Sequence, residues 1–121
     1  MRIKFTLLCL AVALVGVVAF AGPTAVGQTS PRTITVTSSK FVFTPGELTL
    51  KKGEPVILIL KSSDVAHGLR FRELNVDIKV DKGGTAQVQF TPTKTGDFVG
   101  HCSVFCGSGH GGMMLTLHVV E

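Results

Sequence analysis

The segment "HCSVFCGSGHGGMM", residues 101–114, holds, from Cys102 to Met113, two cysteines, a histidine and a methionine spaced C-x3-C-x3-H-x2-M. Thiolate and thioether are soft donors and imidazole is intermediate, so Cys102, Cys106, His110 and Met113 together suit copper far better than magnesium, calcium or manganese. Zinc accepts Cys and His but rarely recruits methionine, whereas a weak axial methionine recurs in copper electron-transfer sites. Glycines at 107, 109, 111 and 112 are expected to let the backbone turn tightly around an ion. A disulfide between Cys102 and Cys106 is the plain alternative. It would close a loop of only a few residues and stabilise the chain little.

A further histidine is needed from elsewhere in the fold, and His67 in "SSDVAHGLRF" is the candidate. Asp64, three residues before it, is placed to hydrogen-bond near the site and orient a ligand. Taken alone, His67 would read as an ordinary strand-end histidine. Met114 competes with Met113 but is expected to begin the last strand. His101 is expected at the edge of the site, and His118 on a solvent-facing strand position.

These side chains must be held by strands. "TITVT" (33–37) alternates Thr with Ile34 and Val36, the period of a half-buried strand. Strands are also predicted at 41–43, 47–50, 56–60, 68–71, 76–80, 85–90, 96–101 and 114–120, bounded by signals such as Thr44-Pro45-Gly46 and "KKGEP". The run "VILIL" (56–60) suits a buried strand, and no sustained helical stripe follows residue 32. The pattern predicts an all-β Greek-key β-sandwich over residues 33–121, with Phe41, Phe43, Phe71, Phe90 and Phe98 in its core.

The N-terminus reads differently. Arg2 and Lys4 precede an apolar run from Phe5 to Ala21 that ends in Ala19-Phe20-Ala21. This is the pattern of a secretory signal peptide over residues 1–21, or else of an uncleaved single helical anchor. Cys9 has no small-residue lipid-attachment motif before it. Residues 22–32, "GPTAVGQTSPR", form a flexible leader. The expectation is a periplasmic or otherwise extracytoplasmic domain, membrane-associated only if the first segment is retained. Without Arg2 and Lys4, ten basic residues face eight acidic ones. The basic residues are scattered without aromatic interleaving, which argues against nucleic acid as a partner.

The pairing of "DVAHG" with "CSVFCGSGHGGM" resembles the CuA-type cupredoxin domain of cytochrome c oxidase subunit II and nitrous oxide reductase, through most of residues 33–121. The resemblance implies a cupredoxin-like sandwich with two copper ions bridged by Cys102 and Cys106. His67 and Met113 would complete one copper, and His110 with the main-chain carbonyl of Val104 the other. It implies single-electron relay between a redox-protein donor and acceptor, with no catalytic residues of the chain's own.

The departures are specific. Subunit II usually carries a glutamate where this chain has Val104, so a carboxylate role toward magnesium is lost while the carbonyl is kept. The chain has no Trp and no Tyr, which leaves the aromatic patch that admits electrons to subunit II without a counterpart. A free-standing relative is the expectation. Other functions remain to be separated: a mononuclear blue-copper carrier using Cys106, His110, His67 and Met113; a copper-delivery protein; and a structural sandwich with an incidental disulfide. Phe105 would either cover the site or form part of a docking surface.

Overall fold

The computed structural model describes Gly22 and residues 30–121; the expected signal peptide or anchor, Cys9 and most of the leader lie outside the described residues. The chain runs β1 (Arg32–Ser39), β2 (Val42–Thr44), β3 (Glu47–Lys51), β4 (Val56–Ser62), β5 (His67–Phe71), β6 (Val76–Val80), β7 (Thr85–Phe90), β8 (Gly96–His101) and β9 (Met114–Val120). Short 3-10 turns occupy Arg72–Leu74 and His110–Gly112. One predicted strand shifts slightly. Phe41 belongs to the two-residue turn between β1 and β2, not to β2 itself.

Two mixed sheets face each other. One has the order β2-β1-β4-β7 and the other β3-β9-β8-β5-β6. Two pairings are parallel, β1 with β4 (Val36 opposite Leu60) and β3 with β9 (Leu50 opposite Val119). Parallel neighbours cannot be joined by a hairpin, so each pair is separated by chain that crosses to another strand. This gives the Greek-key character that short strands and turns foretold.

Alternation drives the packing. Ile34, Val36 and Ser38 point inward from β1, and Val56, Leu58, Leu60 and Ser62 from β4, while Ile57 and Ile59 are only half-buried on the opposite face. Leu69 and Phe71 of β5 and Leu115, Leu117 and Val119 of β9 supply the facing layer. Each such side chain stabilises the fold by roughly 1.5–3 kcal/mol relative to exposure. The core continues without interruption into Cys102, Cys106 and Met113. Phe43 and Phe71 are buried, whereas Phe41, Phe90 and Phe98 pack against the core from its margin.

Candidate metal centre

The five-stranded sheet places the site. β8 ends at His101 and β9 begins at Met114, which lies directly opposite it. The intervening loop is closed at its base by the Cys102 N–H donating to the Met113 carbonyl at 3.1 Å. Next to β8 is β5, where Arg70 pairs with His101 and His67 is the first residue. A sequence separation of 35 residues between His67 and Cys102 is thus bridged by strand pairing alone.

The predicted donors converge. Cys102 Sγ lies 3.6 Å from Cys106 Sγ, well beyond the roughly 2.05 Å of a disulfide, and both thiols are free. His67 Nδ1 is 3.9 Å from Cys102 Sγ, and His110 Nδ1 is 3.6 Å from Cys106 Sγ. Met113 Sδ lies 3.8 Å from Cys106 Sγ. The Cys102 thiol donates to the Val104 carbonyl at 3.1 Å. His67, Cys102 and Cys106 alone form a buried group whose donor atoms lie within 4.8 Å of one another.

The two imidazoles differ in surroundings. His67 is fully buried, and its Nε2 donates to Asp64 Oδ1 at 2.6 Å. An ionised carboxylate only accepts, so Nε2 carries a ring proton, and Nδ1 is the nitrogen that faces the sulfurs. The Lys40 N–H donates to the other carboxylate oxygen, Oδ2, at 2.8 Å. These bonds, the Lys40 amide first and His67 second, hold the Asp64 carboxyl down at about 2. His110 is half-buried, with the ring of Phe105 tilted at 49° and 5.6 Å away. Phe105 itself is 79% exposed, so it flanks the site and does not seal it.

Burial pushes the Cys106 thiol up to about 11, and the neighbouring Cys102 thiol adds to this. Without a cation the Cys106 thiol is therefore protonated at neutral pH. A soft cation would be required to make the Cys106 sulfur a thiolate there. Two thiols, two imidazoles, a thioether and a carbonyl, gathered by the β8–β9 loop and the first residue of β5, fit copper by donor softness.

Several supporting contacts were not legible in the sequence. Ser103 Oγ donates to Asp77 Oδ1 at 3.0 Å, tying the loop to β6. Gly68 admits that loop, because a Cβ there would fall 2.1 Å from Ser103 Oγ and 3.2 Å from Val104. His101 lines a solvent cleft with Arg70, Arg72 and Cys102, at the margin where it was expected. Met114 opens β9 half-exposed and leaves Met113 as the buried thioether. The glycines differ from expectation. Of the four in the loop, only Gly107 has a left-handed backbone, with φ 138°.

The fold and this donor set define a cupredoxin-like domain, and the chain belongs to that family, which it matches over residues 9–115. More particularly it is a relative of cytochrome c oxidase subunit 2. It is 30% identical over 99 residues to that protein of Thermus thermophilus, covering 80% of this chain and 73% of the relative. A nitrous-oxide reductase of Cupriavidus necator is 38% identical over 82 residues, but the match spans only 13% of that protein. The periplasmic domain of subunit II of cytochrome oxidase of Bradyrhizobium japonicum superposes with a TM-score of 0.68 at 22% identity, over 74% of this chain and 84% of that one. The fold is thus a copper electron-transfer fold related to oxidase subunit II. Among the described residues no helix is long and apolar enough to cross a membrane.

Proposed function

We propose that this domain is a dinuclear CuA-type electron carrier acting outside the cytoplasm, with Cys102 and Cys106 bridging two copper ions. In this reading His67 and Met113 belong to one ion, and His110 and the Val104 carbonyl to the other. The observation that carries it is the doubling of donors: each sulfur faces its own imidazole, at 3.9 and 3.6 Å, and neither is spent in a disulfide. A mononuclear centre would leave Cys102 and the Val104 carbonyl without a task.

Bound copper would supply reversible one-electron exchange. The chain's residues supply the rest. Asp64 fixes the tautomer and orientation of His67, and the strand framework keeps donors from moving. The buried side excludes water, while His110 beside exposed Phe105 offers the short route to a partner. In this reading the six donors would fill the coordination positions, leaving no open one for a substrate, and the chain would act as an electron carrier. Donor and acceptor are redox proteins, consistent with kinship to oxidase subunits.

Copper stoichiometry and EPR of the copper-loaded domain test this directly. Two coppers per chain, with hyperfine structure from an electron shared over both nuclei, is the expected result. One copper with a single-nucleus pattern would make the protein a blue-copper carrier. Copper that a mild chelator strips at once would favour delivery instead.

A further inference from the structure

Phe41 stands in the turn between β1 and β2, far in sequence from every donor, yet its ring lies on the loop that carries Cys106 and His110. A Cβ added at Gly109 would fall 2.4 Å from Phe41 Cδ2 and 2.5 Å from Cγ; one at Gly107 would fall 2.8 Å from Cζ. The ring is therefore in direct contact with bare backbone at both glycines. The two sites need glycine for different reasons. Gly107 has φ 138°, which strains any L side chain. Gly109 has φ −89° and ψ 7°, which an alanine can adopt, so only the ring stands in its way.

The neighbouring residue serves the other half of the site. The Lys40 N–H holds Asp64 Oδ2, and Asp64 Oδ1 holds His67. One dipeptide thus touches both donor-bearing segments, by a main-chain amide on the His67 side and by an aromatic face on the His110 side.

We propose that Phe41 is a positioning residue of the metal centre. Its ring presses the Gly107–Gly109 backbone into the conformation that sets His110 Nδ1 against Cys106 Sγ, and the Lys40–Phe41 turn keeps this half in register with the Asp64–His67 half. The proposal rests on the metal-centre reading for its purpose, but the contact can be tested without copper.

The first test is a double-mutant cycle on the metal-free protein, read by thermal unfolding. Gly109→Ala in the parent should lower the midpoint by roughly 5 °C or more, since overpacking forces the ring or the loop to move. In a Phe41→Ala background the same change should cost little, because the space is already open. Equal cost in both backgrounds overturns the proposal. Phe41→Leu serves as the second background if Phe41→Ala fails to fold.

The second test is amide exchange, again without metal. In the Phe41 variants the His110, Gly112 and Met113 amides, which bond to the Gly107, Gly109 and His110 carbonyls, should exchange about tenfold faster or more, with β4 and β9 unchanged. Loop and strands loosening together would make Phe41 a plain core residue and overturn the proposal. On the copper-loaded protein, Phe41→Ala should alter the EPR hyperfine pattern and the reduction potential, and Phe41→Tyr should restore both. An unaltered spectrum and potential overturn the positioning role. Failure of every variant and the parent to hold copper overturns the metal-centre reading alone, since the cycle and the exchange data stand apart from it.

Discussion

Asp64 grips His67 at Nε2 by a 2.6 Å hydrogen bond, and this turns the opposite ring nitrogen, Nδ1, toward Cys102 Sγ at 3.9 Å. A surface-margin carboxylate thereby fixes the chemistry of a fully buried ring. The carboxylate is itself fixed by the Lys40 and Val65 amides, at 2.8 and 2.6 Å.

Removing that grip should loosen the metal site more than the fold. Asp64→Ala is expected to lower copper affinity about 10–100-fold, the usual effect of losing a group that orients a ligand. The sandwich should remain folded by far-UV circular dichroism. Competition against a copper chelator measures the affinity, and an unchanged value would remove Asp64 from the site.

Copper uptake should be coupled to proton release. The Cys106 thiol is held up at about 11 by burial and by the Cys102 thiol, so loading at neutral pH must displace thiol protons. Calorimetry in buffers of different ionisation enthalpy should show protons released, and affinity should fall as pH falls. The metal-free domain has its own signature. A thiol whose folded value is raised stabilises the fold fully below its ordinary value of 9.0, and that contribution is lost as pH rises toward about 11. Denaturant unfolding should therefore show stability declining across this window, and Cys106→Ser should flatten the decline.

In the proposed centre Val104 would contribute only its carbonyl, which accepts from the Cys102 thiol at 3.1 Å. Its side chain is therefore replaceable. Val104→Glu should leave copper count and hyperfine pattern as in the parent. Met113 is different, since its side chain is wholly buried. Met113→Leu conserves volume and should cost less than about 1.5 kcal/mol in the metal-free state, while Met113→Ala should cost about 2–5 kcal/mol. Comparing metal-free unfolding with the copper spectra of both separates packing from ligation.

His118 bridges two neighbouring strands, with Nδ1 2.6 Å from Asp97 Oδ1 on β8 and Nε2 3.9 Å from Glu47 Oε1 on β3. The Asp97 hydrogen bond raises its pKa above the ordinary 6.5. Its contribution to stability is present below 6.5 and is lost as pH rises through the raised value. Histidine titration by NMR should show the raised value, and Asp97→Asn should bring it back toward the ordinary one.

Most strands could be read from the sequence because alternation is local: Ile34 and Val36 between threonines, or Val76, Ile78 and Val80 between charged residues, need no knowledge of the partner strand. The candidate donors could be picked out for a similar reason, since four of the donor side chains lie within one short loop. Asp64 was legible because it lies three positions before His67 on the same segment. Pairing was not. The parallel joining of β3 to β9 depends on which strands meet across the sandwich, and alternation carries no such information. Nor was the distinct role of Gly109. A glycine needed for its bare surface reads the same as one needed for its torsion angles until the ring of Phe41 is seen above it.

Cys102 and Met113, the first and last candidate donors of the loop, are joined by a main-chain hydrogen bond at the point where β8 and β9 part. The segment between them therefore starts and finishes at one place, so lengthening or shortening it adds only a slowly growing closure entropy. The sandwich can be regarded as a socket and the loop as an interchangeable fitting. On the proposed metal-centre reading, exchanging the fitting for one with a different number of sulfurs would alter the donor set without redesigning the walls. What would have to travel with it is small: a residue at position 41 shaped to its backbone, and a glycine at 68 to let it close.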